Sequence, residues 1–215
     1  MKVDRQRILD TALELLNEVG IDALSTRAIA QRLGVQQPAL YWHFKNKRAL
    51  LDAMNGEILA RAHEARVPRA GESWQDFFRR NARGFRAALL TYRDGARVHA
   101  GTEAEPDDLA PVEAQAMCLV RAGFTPAQAM QLFIAVSRYV VGCVLEEQAS
   151  PIAGSEDQAR LDEAAQAYPI LAEAMAYYRQ SGHEGLFERG LDLMVKGAEA
   201  ELAAGPPLEI GVIGG

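Results

Sequence analysis

Residues 25–47 read STRAIAQRLGVQQPALYWHFKNK, a pattern of two short helices around a tight turn. Ser25 can cap the first helix, which ends at Gly34, because a serine oxygen accepts an early backbone N–H and glycine adopts left-handed backbone angles. Proline is well tolerated at the first helical position, so Pro38 predicts a second helix that runs through Trp42. This spacing is typical of a helix-turn-helix.

The second of these helices is polar, aromatic and basic. Gln37, Tyr41 and His43 crowd together, which a purely structural bundle does not need. Glutamine can pair with adenine and arginine with guanine, while tyrosine, histidine and lysine can hold phosphates. The composition therefore favours a DNA-reading surface. Trp42 is the exception, since a large aromatic residue at this position is expected to pack inward.

Charge divides the 215-residue chain, whose net charge is −6. The first 50 residues hold eight Lys/Arg and five Asp/Glu, a net of +3, and the remainder carries −9. A cationic head on an acidic body indicates that only the head meets a polyanion. A charge of +3 over 50 residues also arises by chance, so charge alone leaves both interpretations open.

The rest of the chain predicts further helices. An apolar stripe over residues 8–19 indicates a first helix that Gly20 stops, and Asn46 can cap a helix from residue 47 to about 65. Residues 67–71 form a linker pattern, and residues 149–159 read as a mobile loop. Later helices are expected over residues 73–92, 111–122, 126–148, 160–180 and 184–204.

Cysteine content and hydropathy exclude several protein classes. Cys118 and Cys143 have no metal-binding or disulfide-framework spacing. The longest nearly apolar run, residues 132–145, is shorter than the about 20 residues that a membrane span needs. The charged N-terminus does not resemble a signal peptide. We therefore expect a cytoplasmic protein with no membrane contact.

Polar residues of the acidic body suggest a ligand site. Asn81 and Phe85 share one helix face, and His99 and Thr102 lie in a glycine-broken segment that can aim side chains at a ligand. An imidazole, a hydroxyl and the carboxylate of Glu146 would suit Mg²⁺ with retained waters. A lone histidine is more often structural or solvated, so both interpretations stay open here.

Three stretches resemble the TetR family, and in particular its tetracycline-responsive members. They are residues 25–47, residues 72–102 (ESWQDFFRRNARGFRAALLTYRDGARVHAGT) and residues 135–148 (AVSRYVVGCVLEEQ), and the similarity extends over about residues 4–200. The resemblance implies an all-α fold with a three-helix helix-turn-helix DNA-binding domain, a connecting helix, a larger helical ligand-binding and dimerisation domain, and a flexible tail. Their expected bounds are residues 1–47, 48–66, 67–204 and 205–215.

The resemblance also implies a function. We expect a non-enzymatic repressor that binds a palindromic double-stranded DNA operator as a homodimer and is released by a tetracycline-type small molecule with Mg²⁺. The helices over residues 126–148 and 184–204 would form a four-helix dimer interface, unless they are ordinary core helices of a monomer. The ligand would shift the short helix near His99, and the connecting helix would swing like a pendulum.

Site residues follow from the same resemblance. Arg27 and Gln37 would read bases, and Ala39 replaces the threonine that is usual there, which removes a hydroxyl contact. The expected DNA-binding set is Thr26, Arg27, Gln37, Pro38, Ala39, Tyr41, Trp42, His43 and Lys47. The expected ligand-binding set is His63, Asn81, Phe85, His99, Thr102, Gln115, Met130, Phe133 and Ser137. His99 would bind Mg²⁺ directly, and Thr102 and the partner's Glu146 would act through water.

The sequence departs from the family pattern at two further places, and three alternative functions stay open. Glu103-Ala104 replaces the usual Arg-Pro, and Met130 and Phe133 replace smaller residues of the apolar wall. One alternative is a TetR-type repressor for another aromatic antibiotic or polyketide without a metal. A second is a metal-assisted hydrolase using His63, His99 and Glu146, although HExxH, GxSxG and Walker A motifs are missing. A third is a DNA binder whose body binds protein.

Overall fold

The computed structural model describes residues 3–64, 66–102, 109–149 and 156–205, and their regular structure is entirely helical. These residues form ten helices. They are α1 (Arg5–Ala23), α2 (Thr26–Leu33), α3 (Pro38–Tyr41), α4 (Lys47–Ala62), α5 (Trp74–Leu90), α6 (Gly95–His99), α7 (Leu109–Arg121), α8 (Pro126–Ala149), α9 (Glu156–Ala165) and α10 (Pro169–Ala204). The predicted all-α class is confirmed.

The helix ends that the sequence predicted are made by the expected caps. The Ser25 hydroxyl accepts the Ala28 N–H at 3.1 Å, and Gly34 ends α2 in the left-handed conformation. Asn46 caps α4 through the Ala49 N–H at 2.9 Å. These caps fix the lengths of α2 and α4, and therefore set where α3 emerges between them.

Three predicted boundaries were wrong. Gly20 has a φ of 76°, yet α1 resumes after it and continues to Ala23. The helix α4 ends at Ala62, earlier than the predicted residue 65. The predicted helix over residues 160–180 is interrupted, because Pro169 lacks an N–H and disfavours helical angles at the preceding residue.

Two predicted segments lie largely outside the described residues. The predicted loop over residues 149–159 includes residues 150–155, which are not described, whereas residues 156–159 begin α9. Residues 206–215 of the predicted tail and the Glu103-Ala104 departure also lie outside them.

Two apolar cores meet along α4. The first core joins α1–α4, and Leu50, Met54 and Ile58 of α4 are fully buried in it together with Val98 of α6. The second core joins α5, α7, α8 and α10, and Leu59 of α4 packs against it. Because α4 belongs to both cores, it cannot move without disturbing contacts on both sides.

Two hydrogen bonds and one ion pair, which together form a polar junction, connect α6 and the turn before it to the end of α1. Asp94 accepts the Ile21 N–H at 2.9 Å, and the backbone N–H of Arg93 donates to Asn17 at 2.8 Å. The Arg97 guanidinium contacts the Asp22 carboxylate at 2.6 Å. These contacts hold α6 against the N-terminal head.

The helix α8 exposes much of its apolar surface. It is long and apolar enough to cross a membrane by length and composition, but only 22% of its most apolar window is buried. Met130 and Ile134 of α8 and Leu193 of α10 are exposed. The Tyr139 hydroxyl donates to the Phe187 carbonyl at 2.9 Å and joins these two helices. Their exposed apolar faces are of the kind that a second subunit covers.

We predict that Gly95→Ala will destabilise the fold. A Cβ at residue 95 would lie 2.1 Å from the Leu89 carbonyl oxygen, so the backbone must shift. We expect a loss of about 1–3 kcal/mol in the free energy of unfolding, measured by urea denaturation. Gly56→Ala is the control, since its Cβ meets no atom within 4 Å, and alanine there stabilises by up to about 1 kcal/mol. Equal stabilities for the two variants would contradict this.

Candidate DNA-reading surface and ligand site

The structure brings Thr26, Gln37 and Tyr41 together on one surface of the head. The Gln37 amide donates to the Thr26 hydroxyl at 2.8 Å and to the Tyr41 hydroxyl at 3.3 Å. Gln37 stands just before α3, and Thr26 is the first residue of α2. The side chain expected to read a base is therefore held in place by two groups expected to contact phosphates.

Trp42 is 89% exposed, so the expectation that it packs inward was wrong. The helix α3 is a single turn, and Leu40 and Phe44 take the two inward positions, where both are buried. Residues between them point outward because successive helical residues are about 100° apart. Tyr41 and Trp42 therefore form an exposed aromatic edge of the candidate DNA surface.

The remaining DNA-binding candidates differ in their exposure. Arg27, Pro38 and Lys47 are exposed, and Ala39 is half-buried. His43 is half-buried, and its Nε2–H donates to the Val3 carbonyl at 3.0 Å, which ties the ring to the start of the described chain. The candidates thus include cations, hydroxyls and one amide, which is the set of groups that phosphate and base contacts require.

In the body, Phe85 of α5 lies between two histidines. Its ring stacks on His63 with centroids 5.7 Å apart and meets the edge of His99 with centroids 5.0 Å apart. His63 directly follows α4 and His99 ends α6, so three helix segments bring these rings together. A flat ring system could stack within such a group.

Burial favours the neutral form of both histidines. Burial lowers the pKa of His63 to about 4, and burial also lowers the pKa of His99. The Nε2–H of His63 donates to the Asn81 carbonyl at 3.2 Å, which leaves the lone pair on Nδ1. Neutral imidazoles are the form that binds a metal or accepts a hydrogen bond from a ligand.

Asn55 is a residue of the site that the sequence reasoning missed. It is 8% exposed on α4, and its Oδ1 lies 2.9 Å from His99 Nδ1. Its Nδ2 donates to the Thr102 hydroxyl at 3.3 Å, and that hydroxyl donates to the His99 carbonyl at 2.8 Å. An asparagine beside the buried Met54 and Ile58 was the available signal, since buried amides are almost always hydrogen-bonded.

The other expected ligand residues lie on α7 and α8. The Gln115 amide donates to the Arg66 carbonyl at 2.8 Å. Phe133 packs against Phe78 with centroids 6.0 Å apart, Met130 is exposed and Ser137 is half-buried. Glu146 is exposed on α8. The structure thus brings His63, Asn81, Phe85, His99 and Thr102 into one group that is connected by ring contacts and hydrogen bonds.

A self-contained metal centre does not exist within the described residues, which hold no group of three or more His, Cys, Asp or Glu side chains that could bind an ion. His99 therefore offers one nitrogen rather than a full coordination shell. Cys118 and Cys143 are free thiols.

Two family models match this chain. The model described as bacterial regulatory proteins, tetR family, matches residues 8–54, and the one described as tetracyclin repressor-like, C-terminal domain, matches residues 67–202. The first covers the candidate DNA surface, and the second covers α5–α8 and nearly all of α10.

Curated relatives and solved structures agree with these matches. The chain is 46% identical to tetracycline repressor protein class D of Escherichia coli over 203 residues, which is 94% of this chain and 92% of that protein. A TetR variant from Acinetobacter baumannii AYE in complex with minocycline superposes with a TM-score of 0.76 at 43% identity, over 93% of this chain and 98% of that one. TetR of class A with 5a,6-anhydrotetracycline and magnesium gives 0.72 at 40% identity, over 95% and 100%.

The exposure of Trp42 generates one prediction. Trp42→Ala should change the free energy of unfolding by less than about 0.5 kcal/mol, because the side chain has little to lose in the fold. Its affinity for a duplex that the wild-type protein selects from a random pool should fall about tenfold or more, measured by fluorescence anisotropy.

Leu40→Ala is the matched control on the buried side of α3. It should cost about 2–5 kcal/mol in urea denaturation because it leaves a cavity. Wild-type DNA affinity in Trp42→Ala would remove Trp42 from the DNA surface.

The pKa of His63 predicts a pH-dependent stability. The unfolded chain takes up a proton near the ordinary pKa of 6.5, whereas folded His63 stays neutral down to about 4. The contribution of His63 to the free energy of unfolding is therefore fully present above pH 6.5. It falls by about 3 kcal/mol as the pH decreases towards 4. His63→Gln should flatten the profile measured by urea unfolding across this range. An unchanged slope in the variant would show that His63 does not carry it.

Proposed function

Because this chain belongs to the tetR family of bacterial regulatory proteins, we propose that it is a homodimeric repressor whose release from operator DNA is triggered by Mg²⁺–tetracycline. The observation that carries the proposal is the 46% identity to tetracycline repressors, which runs through both the DNA-reading head and the His63–Phe85–His99 group. Its relatives are transcriptional repressors, so its role is regulatory. A bacterial repressor acts on DNA in the cytoplasm, so we expect this protein to work there.

The DNA contacts are assigned to the head. Arg27 and Gln37 would read base edges, with Gln37 exchanging its bonds to Thr26 and Tyr41 for bonds to a base. Phosphate contacts fall to Thr26, Tyr41, His43 and Lys47, and Pro38, Ala39 and Trp42 would pack against the duplex. Two such heads in a dimer would contact half-sites about 34 Å apart. The exposed apolar faces of α8 and α10 would form the interface between the two subunits.

The ligand contacts are assigned to the body. His63, Asn81 and Gln115 would bond the polar edge of the drug, and Phe85 would lie beside its rings. Gln115 would give up its bond to the Arg66 carbonyl for the ligand. Met130, Phe133 and Ser137 of α8 would form the wall. The domain bounds expected from the sequence, residues 1–47, 48–66, 67–204 and 205–215, are retained as part of this proposal.

The residues present fit a magnesium ion that arrives with the drug. His99 Nδ1 lies 2.9 Å from the Asn55 amide, so Nε2 is the nitrogen that would bind the ion. One nitrogen with the Thr102 hydroxyl and the partner's Glu146 suits an ion that keeps most of its waters and its drug oxygens. When bound, the ion supplies the positive charge that links the drug to His99.

Release from DNA requires that the ligand prefer the form of the protein that binds DNA poorly. The helix α4 runs from the reading head at Lys47 to His63 in the ligand site, so a shift of α6 against α4 would change the separation of the two heads. A ~1000-fold weakening of operator binding corresponds to about 4 kcal/mol of coupling, and DNA weakens ligand binding by the same factor.

A second candidate is a repressor of this family that responds to another flat aromatic molecule without a metal. The ring group of His63, Phe85 and His99 favours it, because aromatic rings can hold a flat molecule without any ion. Metal dependence of binding separates the two candidates.

We predict that the purified protein will bind tetracycline with Mg²⁺ and lose this binding in EDTA, as measured by drug fluorescence. His99→Ala should weaken binding in Mg²⁺ about 100-fold or more, because it removes the direct ligand. His183→Ala, which removes an imidazole on α10, should bind as the wild type does. Binding that EDTA does not alter would favour the metal-free candidate, and no binding in either condition would overturn the tetracycline assignment.

A further inference from the structure

We infer that Asn55 is a positioning residue that fixes the protonation of His99 and holds both His99 and Thr102 to α4. The inference rests on the proposed function, since it assigns a role to Asn55 toward the metal–drug complex. Asn55 lies on α4, the helix that leads from the DNA-reading head.

The number of available protons determines which way the Asn55 amide faces. The Thr102 hydroxyl has one proton, which it donates to the His99 carbonyl at 2.8 Å. That hydroxyl can therefore only accept from Asn55, so the NH₂ of the amide faces Thr102 at 3.3 Å. The amide oxygen consequently faces His99.

The orientation of the amide decides the tautomer of His99. The Asn55 oxygen has no proton, so His99 Nδ1 must donate to it across the 2.9 Å that separate them. A neutral imidazole carries one proton, and Nε2 is then left with the lone pair. Among histidines that bind metals, a hydrogen bond from the second nitrogen is what orients the ring and raises its basicity.

The surroundings of Asn55 give the amide few other partners. Met54 and Ile58 beside it on α4 are fully buried, and Asn55 itself is 8% exposed. A buried amide without hydrogen bonds costs about 1–3 kcal/mol, so its position is stable only while His99 and Thr102 hold it. The three side chains therefore form one unit, and a displacement of α6 must break it or carry α4 with it.

The first test measures the tautomer of His99 without any metal or drug. Long-range ¹H–¹⁵N NMR of the ligand-free wild-type protein near neutral pH should show a proton on Nδ1 and none on Nε2. A proton on Nε2 in the wild type would overturn the inference, and this outcome needs no variant. Asn55→Leu, which has a similar volume and no amide, should give a mixture of the two tautomers.

The second test measures tetracycline affinity with Mg²⁺ and in EDTA. Asn55→Leu should weaken binding in Mg²⁺ by ~10- to 100-fold and leave the much weaker binding in EDTA unchanged. Gln75→Leu is the matched control, because it removes an amide that donates to Glu199 outside the site and the junction, and it should bind as the wild type does. Wild-type affinity in Asn55→Leu with an unchanged tautomer would refute the role of Asn55.

The two tests separate this inference from the proposed function. A wild-type protein that binds no tetracycline in either condition refutes the proposed function alone, since the tautomer measurement uses no ligand. A wild-type protein that binds Mg²⁺–tetracycline while Asn55→Leu binds it equally well refutes the inference alone. If Asn55→Leu does not fold, Asn55→Ser removes the long amide with a smaller change in the core and takes its place in both tests.

Discussion

The fold depends on the burial of α4 in two cores at once. Leu50, Met54 and Ile58 face the head, while Leu59 packs on the body. Close-packed cores resist continuous deformation, so α4 has few positions that both cores accept. In a protein built in this way, a displacement at the proposed ligand site would reach the DNA-reading head as a movement of a whole helix.

A polar junction and a polar cluster constrain α6 from opposite sides. Asp94 and Arg97 bind the end of α1, whereas His99 and Thr102 bind Asn55 of α4. The two attachments differ in their surroundings. The pair of Arg97 and Asp22 is largely exposed and so contributes little free energy, while the Asn55 cluster is buried and an unmade hydrogen bond there is costly.

The body has a buried apolar core and, on another side, apolar surface that is exposed. Phe78 of α5 packs on Phe133 of α8, and Phe85 lies between His63 and His99, but α8 and α10 keep apolar side chains in contact with water. A single chain cannot bury these faces with the residues described. By length and composition alone, α8 also fits a membrane span. Burial of its apolar face against a second copy of this chain is a simpler physical explanation.

The sequence by itself determined the local structure. Ser25, Gly34, Pro38 and Asn46 act through their own backbone and nearest neighbours, so the helix-turn-helix could be predicted from their order. The residue types expected at the ligand site could also be named, because the resemblance carries them position by position. The break at Pro169 was predictable from proline chemistry, although the sequence reasoning continued the helix past it.

Only the tertiary structure decided which residues of different helices contact one another. Trp42 is exposed because Leu40 and Phe44 occupy the core beneath α3, and a count of aromatic residues does not reveal that competition. Asn55 reaches His99 because α4 and α6 lie side by side, although 44 residues separate them along the chain. Pairing at that separation is set by how the two cores pack, and a linear pattern of residues carries no record of it.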